Sequence, residues 1–185
     1  MNRLTSLGRF LRATEGSALL ELAISLPLLV VFIVGIYDFS GAFNQKQKIE
    51  HAAQEGAILA GAQPTSDVET ANLRAVATVI FNSLVADAVV PQSTCAAVGA
   101  PTQRGPLLWE YKISCGSDNL IIDINRAWVP PSAPGVTTSV VGTQVKVTYP
   151  YHWHFSSAIQ LLFPGSTSYS ATTPLSETAG VHNQM

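Results

Sequence analysis

From Glu15 to Tyr37 the chain runs EGSALLELAISLPLLVVFIVGIY, and this stretch decides how the rest is read. No charged residue occurs between Leu22 and Tyr37, while the fifteen residues at the N-terminus carry Arg3, Arg9 and Arg12 against the single acid Glu15. A basic flank ahead of an apolar run keeps the short tail cytoplasmic and sends the following chain across a membrane. The uncharged run is shorter than the roughly 20 residues a spanning helix needs, so the span must extend into Ser17–Leu20 or Phe39–Phe43. Either extension takes in an acid, Glu21 or Asp38. A carboxylate at membrane depth costs at least about 2.5 kcal/mol unless it finds a partner. Glu21 therefore requires a cation.

The segment Glu15-Gly16-Ser17-Ala18-Leu19-Leu20-Glu21-Leu22 resembles the processing site of type IV prepilins, which consists of a Gly, a cut, and a Glu at the fifth mature position. Beyond it come Leu26-Pro27-Leu28-Leu29, then Gly35 and Phe39, then the small-rich Ala52-Ala53-Gln54-Glu55-Gly56-Ala57. Together these features are similar to the TadE-like minor pilins, or pseudopilins, of tight-adherence (Tad/Flp) pili. The resemblance covers residues 16 to 62; the remainder shares only the general pattern of a small strand-rich domain. One departure is Leu22, where several members of that class carry an aromatic residue.

The resemblance implies a cut between Gly16 and Ser17, which makes Ser17 the new N-terminus and leaves Glu21 four residues into an apolar helix. It further implies that Glu21 pairs with the Ser17 amine of a neighbouring subunit, a matching of buried charges in a low dielectric. The implied partners are the membrane, a prepilin peptidase, an inner-membrane assembly platform with its cytoplasmic ATPase, and companion pilins. The implied location is the bacterial inner membrane, N-terminus inside and C-terminal domain periplasmic, with later incorporation into an extracellular pilus. Adhesion and pilus assembly are the expected roles.

Composition agrees with a chain partly destined for lipid. Of its 185 residues 47% are hydrophobic and only 12% charged, about half the charge usual in soluble domains. The length suits one compact domain. A net charge of −2 provides no electrostatic footprint for nucleic acid.

From Asn44 to Ala62 there is no proline, and Ile49, Ala52, Ala53, Gly56, Ala57, Ala60 and Gly61 recur at spacings of three and four. The helix is expected to continue out of lipid over Ser17–Ala62, about 69 Å at 1.5 Å per residue. Pro27 removes one helical hydrogen bond, which predicts a kink or a melted turn there. Gly56-x-x-x-Ala60 and Ala57-x-x-x-Gly61 permit close backbone approach, on the chain's own domain or within a filament core.

Gln63-Pro64-Thr65-Ser66 breaks the helix, and Ser66-Asp67-Val68-Glu69 has capping-box spacing. A second, amphipathic helix follows with Leu73, Val76, Ala77, Ile80 and Leu84 on one stripe, ending before Pro91. Period-two alternation then predicts strands over Trp109–Cys115 and Val145–Tyr149, with further candidates at Asn119–Asn125, Val136–Val141 and Ser168–Thr173. Ala158–Phe163 is a short apolar helical turn or surface loop. The fold class is α+β: a long N-terminal helix, then a small domain of one amphipathic helix and an antiparallel sheet. The expected organisation is a cleaved leader over 1–16, an assembly helix over 17–43, its extramembrane continuation over 44–62, and the α+β domain over 63–185.

Export favours a disulfide between Cys95 and Cys115 over two free buried thiols. His152 and His154 would share a strand face but fall two ligands short of a zinc site, and otherwise border an aromatic cluster of Tyr149, Tyr151, Trp153 and Phe155. No G-x-S-x-G elbow, H-E-x-x-H helix, phosphate loop or dinucleotide fingerprint occurs. The expectation is a non-enzyme without cofactor. Two other readings compete with the pilin. In one, the first 42 residues are an export signal, cut after Ser40-Gly41-Ala42, or an uncleaved anchor for a periplasmic binding module. In the other, an anchored periplasmic enzyme uses His152 or His154.

Overall fold

The structure, a computed structural model, describes residues 14–64, 70–130, 141–154 and 172–183. Helix α1 (Thr14–Gly61) runs 48 residues through Pro27 without a break. Proline has no N–H, so the Ala23 carbonyl loses its usual helical donor there. The chain divides into two compact units, residues 1–40 with 154–169 and residues 41–153 with 170–185.

In the first unit α1 presents its apolar side chains outward. Most are exposed, from 48% at Val30 to 71% at Tyr37, while Val31 and Val34 are half-buried. By length and composition α1 can cross a membrane.

The second unit is built on a sheet. Its strands are β1 (Thr102–Gly105), β2 (Leu108–Cys115), β3 (Asp118–Trp128), β4 (Gly142–His152) and β5 (Thr172–His182), paired antiparallel in sequence order. Alternation dictates which face is covered. Tyr111 and Ile113 of β2, Leu120, Ile122 and Ile124 of β3, and Val145 and Val147 of β4 are buried, while their chain neighbours are more exposed and, Ile121 apart, polar. Two helical stripes belong to the same core: Ile49, Ala52, Ala53, Ala57 and Ala60 of α1, and Leu73, Val76, Ala77, Ile80 and Leu84 of α2 (Thr70–Ala86). Here the small residues of α1 pack within the unit itself. A methyl group on Gly56 would overlap Ile80, and one on Gly61 would overlap Val181.

Helix α2 ends in a Schellman motif. Val89 N donates to Leu84 O at 2.9 Å and Ala88 N to Val85 O at 3.0 Å, with Ala88 in the left-handed region at φ 55°. Lys48 Nζ donates to the Asp87 carbonyl at 2.7 Å, placing a cation at the negative end of α2. Cys95 and Cys115 are joined by a disulfide across 20 residues of sequence. It ties the end of β2 to the segment after the 3-10 turn Gln92–Thr94; a loop of this size stabilises by about 3 kcal/mol in the chain-entropy account.

Several expectations need correction or fall outside what is described. Of the last strand expected over Ser168–Thr173, Thr172 and Thr173 lie in β5, which runs on to His182, its eleven residues pairing in unbroken register with β4. Strand β1 is polar and was not anticipated. Val141 is not in a strand, and the rest of the Val136–Val141 candidate lies outside the described residues. So do the capping box at Ser66–Glu69, the apolar segment Ala158–Phe163, residues Ser168–Ala171 and Phe155.

Candidate membrane and assembly helix

The residues singled out for processing and pairing lie on the first turns of α1. Gly16 and Ser17 are both within the helix, Ser17 is exposed, and Glu21 is exposed one turn later. No ion pair involves Glu21 among the described residues. Ser25 Oγ donates back to the Glu21 main-chain carbonyl, a local bond by which a serine satisfies itself in an apolar helix.

At the other end of the uncharged run, Asp38 is only 1% exposed and meets His154 Nδ1 at 3.1 Å. The two acids flanking the run are therefore treated differently: Asp38 is buried and partnered by a ring nitrogen, Glu21 is presented outward. His152 has its own carboxylate, with Nε2 2.8 Å from Asp118 Oδ2. The two histidines thus serve different partners, and no group of three or more metal-ligating side chains occurs among the described residues.

Beyond Asp38 the helix enters the sheet unit. Lys46 pairs with Glu177 of β5 at 3.2 Å, and Gln45 Nε2 donates to the Pro150 carbonyl at 3.3 Å. A groove of about 190 Å³ is lined by Gly41, Asn44, Gln45, Lys48, Ala88 and Val89, smaller than the roughly 300 Å³ at which small-molecule pockets begin.

Sequence reasoning missed Arg126. Its side chain is 1% exposed, with Nη2 2.6 Å from the Gln63 carbonyl and Nη1 3.5 Å from Gln63 Oε1. Gln63 Nε2 in turn donates to Asn72 O at 3.3 Å, so one guanidinium links β3, the end of α1 and the start of α2. The one available signal was its place in the alternation, since Leu120, Ile122, Ile124 and Arg126 share the covered face. Burial pushes the Arg126 guanidinium below its ordinary pKa and the Tyr111 hydroxyl up to about 12.

No curated protein and no solved structure matches the chain. Its N-terminal segment does find a family: residues 16–57, from the glycine ahead of the apolar run to the small-residue stripe packed on the sheet unit, match the family model described as TadE-like protein.

Proposed function

We propose that the chain is a minor pilin of a Tad pilus, held in the inner membrane by α1 before assembly. The observation that supports this most is the coincidence of the TadE-like match at residues 16–57 with a helix whose N-terminal half is apolar and mostly exposed among the described residues. Buried small residues at 42–60 explain how the second half of the helix packs; among the described residues most of the apolar side chains of the first half are exposed. Lipid covers it before assembly and neighbouring helices cover it afterwards.

The bilayer sets the register. From Ser17 to Gly41 the helix rises about 36 Å, against a hydrocarbon core of about 30 Å. Glu21 then falls near the inner boundary and Asp38 just inside the outer one. Prepilin peptidase cuts between Gly16 and Ser17, and the amine released at Ser17 is the cation that Glu21 of the adjacent subunit requires. Desolvation of the pair as subunits leave lipid strengthens their attraction, which couples extraction to register. Companion pilins and the assembly platform are the partners in this reading, and priming or capping a filament that supports adhesion is its finer role.

The deciding measurement is the mass and N-terminal residue of the protein purified from membranes. A chain beginning at Ser17 is expected. A start at Phe43 indicates an export signal and a start at Met1 a plain anchor, and either defeats the reading. Glu21→Ala should insert and be processed yet fail to assemble, whereas Gly16→Leu should remain uncut.

A further inference from the structure

Trp128 lies on the outer, polar face of the sheet, although strict alternation would put it on the covered one. Along β3 the even-numbered residues Leu120, Ile122, Ile124 and Arg126 are buried, and Trp128 is next in that series. The pairing with β4 changes register just before it: Asn125 stands opposite Gln144 and Trp128 opposite Gly142, so that Arg126 and Ala127 together oppose Thr143. A bulge of this kind re-aims the side chain that follows. Trp128 thereby joins Asn125, Gln144 and Gly180 on the face away from the helices.

On that face the ring has a prepared seat. A Cβ on Gly180 would lie 2.5, 2.6 and 3.1 Å from the indole atoms Cζ3, Cη2 and Cε3, and one on Gly142 would lie 3.0 Å from Cε3. Distances this short to three consecutive ring atoms are met only from above the ring plane, so the indole lies flat across glycines of two adjacent strands. Glycine weakens a strand interior; here it makes room for one aromatic face. The ring is half-buried, and its opposite face is directed away from the sheet. Its polar surroundings are unused. Trp128 Nε1, the Gln144 amide and the His182 ring have no hydrogen-bond partner among the described residues, and Asn125 engages only its Oδ1, with Ala127 N. The nearest acid and base on this face of β3 and β4, Asp123 and Lys146, stand opposite one another two residues further on.

We propose that Trp128 is the platform of a carbohydrate site, taking the flat face of a neutral pyranose with equatorial hydroxyls. Such a sugar presents C–H bonds on its faces and hydroxyls around its edge. The C–H bonds meet the electron-rich indole face, and the hydroxyls reach Trp128 Nε1, the Asn125 amide as donor, and the Gln144 amide as donor and acceptor. A nucleobase would stack equally well but brings a phosphate that needs Lys or Arg. An ammonium ion would need further rings or a carboxylate around it. Neither requirement is met beside Trp128 among the described residues. The site lies wholly within the sheet unit and is independent of the pilin reading.

The full chain, disulfide intact, is held in a polyoxyethylene detergent, which carries no sugar, and mixed with cellotetraose or chitotetraose. Saturation-transfer NMR on the sugar protons reads binding. At least one of the two should bind with Kd of about 1 mM. Trp128→Ala should weaken binding about tenfold, while Trp128→Tyr, which keeps a flat ring, should stay within about threefold of the parent. Gln144→Ala should cost about threefold through one lost hydrogen bond. Absence of transfer to both sugars at about 20 mM overturns the proposal, and so does unchanged binding by Trp128→Ala. A thymidine oligonucleotide bound more tightly than either sugar also overturns it, and assigns the ring to base stacking. Should near-ultraviolet circular dichroism show Trp128→Ala unfolded, Gln144→Ala decides: binding as tight as the parent's again overturns the site.

Discussion

Arg126 Nη2 donates to the main-chain carbonyl of Gln63 at 2.6 Å, just past the last turn of α1. The guanidinium is almost fully buried, and its Nε finds no partner among the described residues. A buried cation of this kind is retained by the acceptors it satisfies, because removing it leaves the Gln63 carbonyl without its donor while filling the site with apolar volume recovers only packing. Arg126→Ala should lower unfolding free energy by about 2–4 kcal/mol through the combined loss of bond and volume. Arg126→Met, which keeps most of the volume, should lower it less. Denaturant unfolding of the full chain in detergent micelles, followed by near-ultraviolet circular dichroism, gives both values. A Met variant as stable as the parent would show that the contacts with Gln63 contribute nothing net.

Gly56 faces Ile80 so closely that an added methyl would overlap the end of that side chain, and Ile80 is fully buried. Gly56→Ala should therefore destabilise by about 1–3 kcal/mol despite alanine's better helix propensity. Ile80→Val removes the Cδ1 atom nearest the new methyl, so the double variant should be more stable than the sum of the two single losses predicts. Gly35 provides the control. Nothing lies within 4 Å of its added Cβ, and Gly35→Ala should leave folding unchanged. Strict additivity at Gly56 and Ile80 would place the cost of Gly56→Ala elsewhere.

These two sites mark how far the sequence could be read. The long helix was legible because the small and apolar residues from Ile49 to Gly61 keep helical spacing, and β2 and the Val145–Tyr149 centre of β4 because apolar and polar residues alternate there. Strand β1 was not: Thr102, Gln103 and Arg104 are polar and exposed, and they become a strand only through pairing with β2, where Arg104 meets Glu110. The extent of β5 was hidden for a related reason. Its covered face is Leu175, Glu177, Ala179 and Val181, where an acid interrupts the apolar pattern and is matched by Lys46 from a distant helix. Pro174 and Gly180 further weaken its local strand propensity. At Gly180 the missing side chain has a use, since a Cβ there would lie 2.5 Å from the Trp128 ring. At the N-terminal segment, the glycine, the acid and the apolar run could be read directly, since their chemistry does not depend on tertiary packing. The burial of Asp38 against His154 does depend on it, across 116 residues of sequence, and no local pattern carries it.

Ala88 terminates α2 in a conformation that suits glycine. Its φ of 55° costs an L-residue about 1 kcal/mol, while both Schellman hydrogen bonds require that geometry. Ala88→Gly relieves this strain and in exchange gives the unfolded chain more freedom, an opposing effect of roughly 0.4–1 kcal/mol. The net expectation is a gain of up to about 1 kcal/mol, seen as a raised melting temperature with the disulfide intact. Ala88→Val, whose branched side chain tolerates positive φ poorly, should move the other way. If both variants melt at the parent's temperature, the Schellman geometry does not limit the stability of this unit.

On the sheet face away from the helices, Asp123 pairs across β2 with Glu110 and across β4 with Lys146. Burial and then the Glu110 charge hold its carboxyl above the ordinary value of 3.8, with Lys146 and Arg104 opposing. The folded state therefore binds this proton more tightly than the unfolded state does, so stability from this group is present below pH 3.8 and is lost as pH rises through the raised folded value. At neutral pH the ionised Asp123 is a liability. Asp123→Asn should stabilise the chain at pH 7, the advantage should shrink progressively on acidification, and it should vanish below pH 3.8, where the parent carboxyl is neutral in both states. Adding Glu110→Gln should reduce the benefit at pH 7, because part of the penalty is the repulsion between the two carboxylates. A gain that stays constant from pH 3 to pH 7 would assign the effect to packing of the amide and not to the charge.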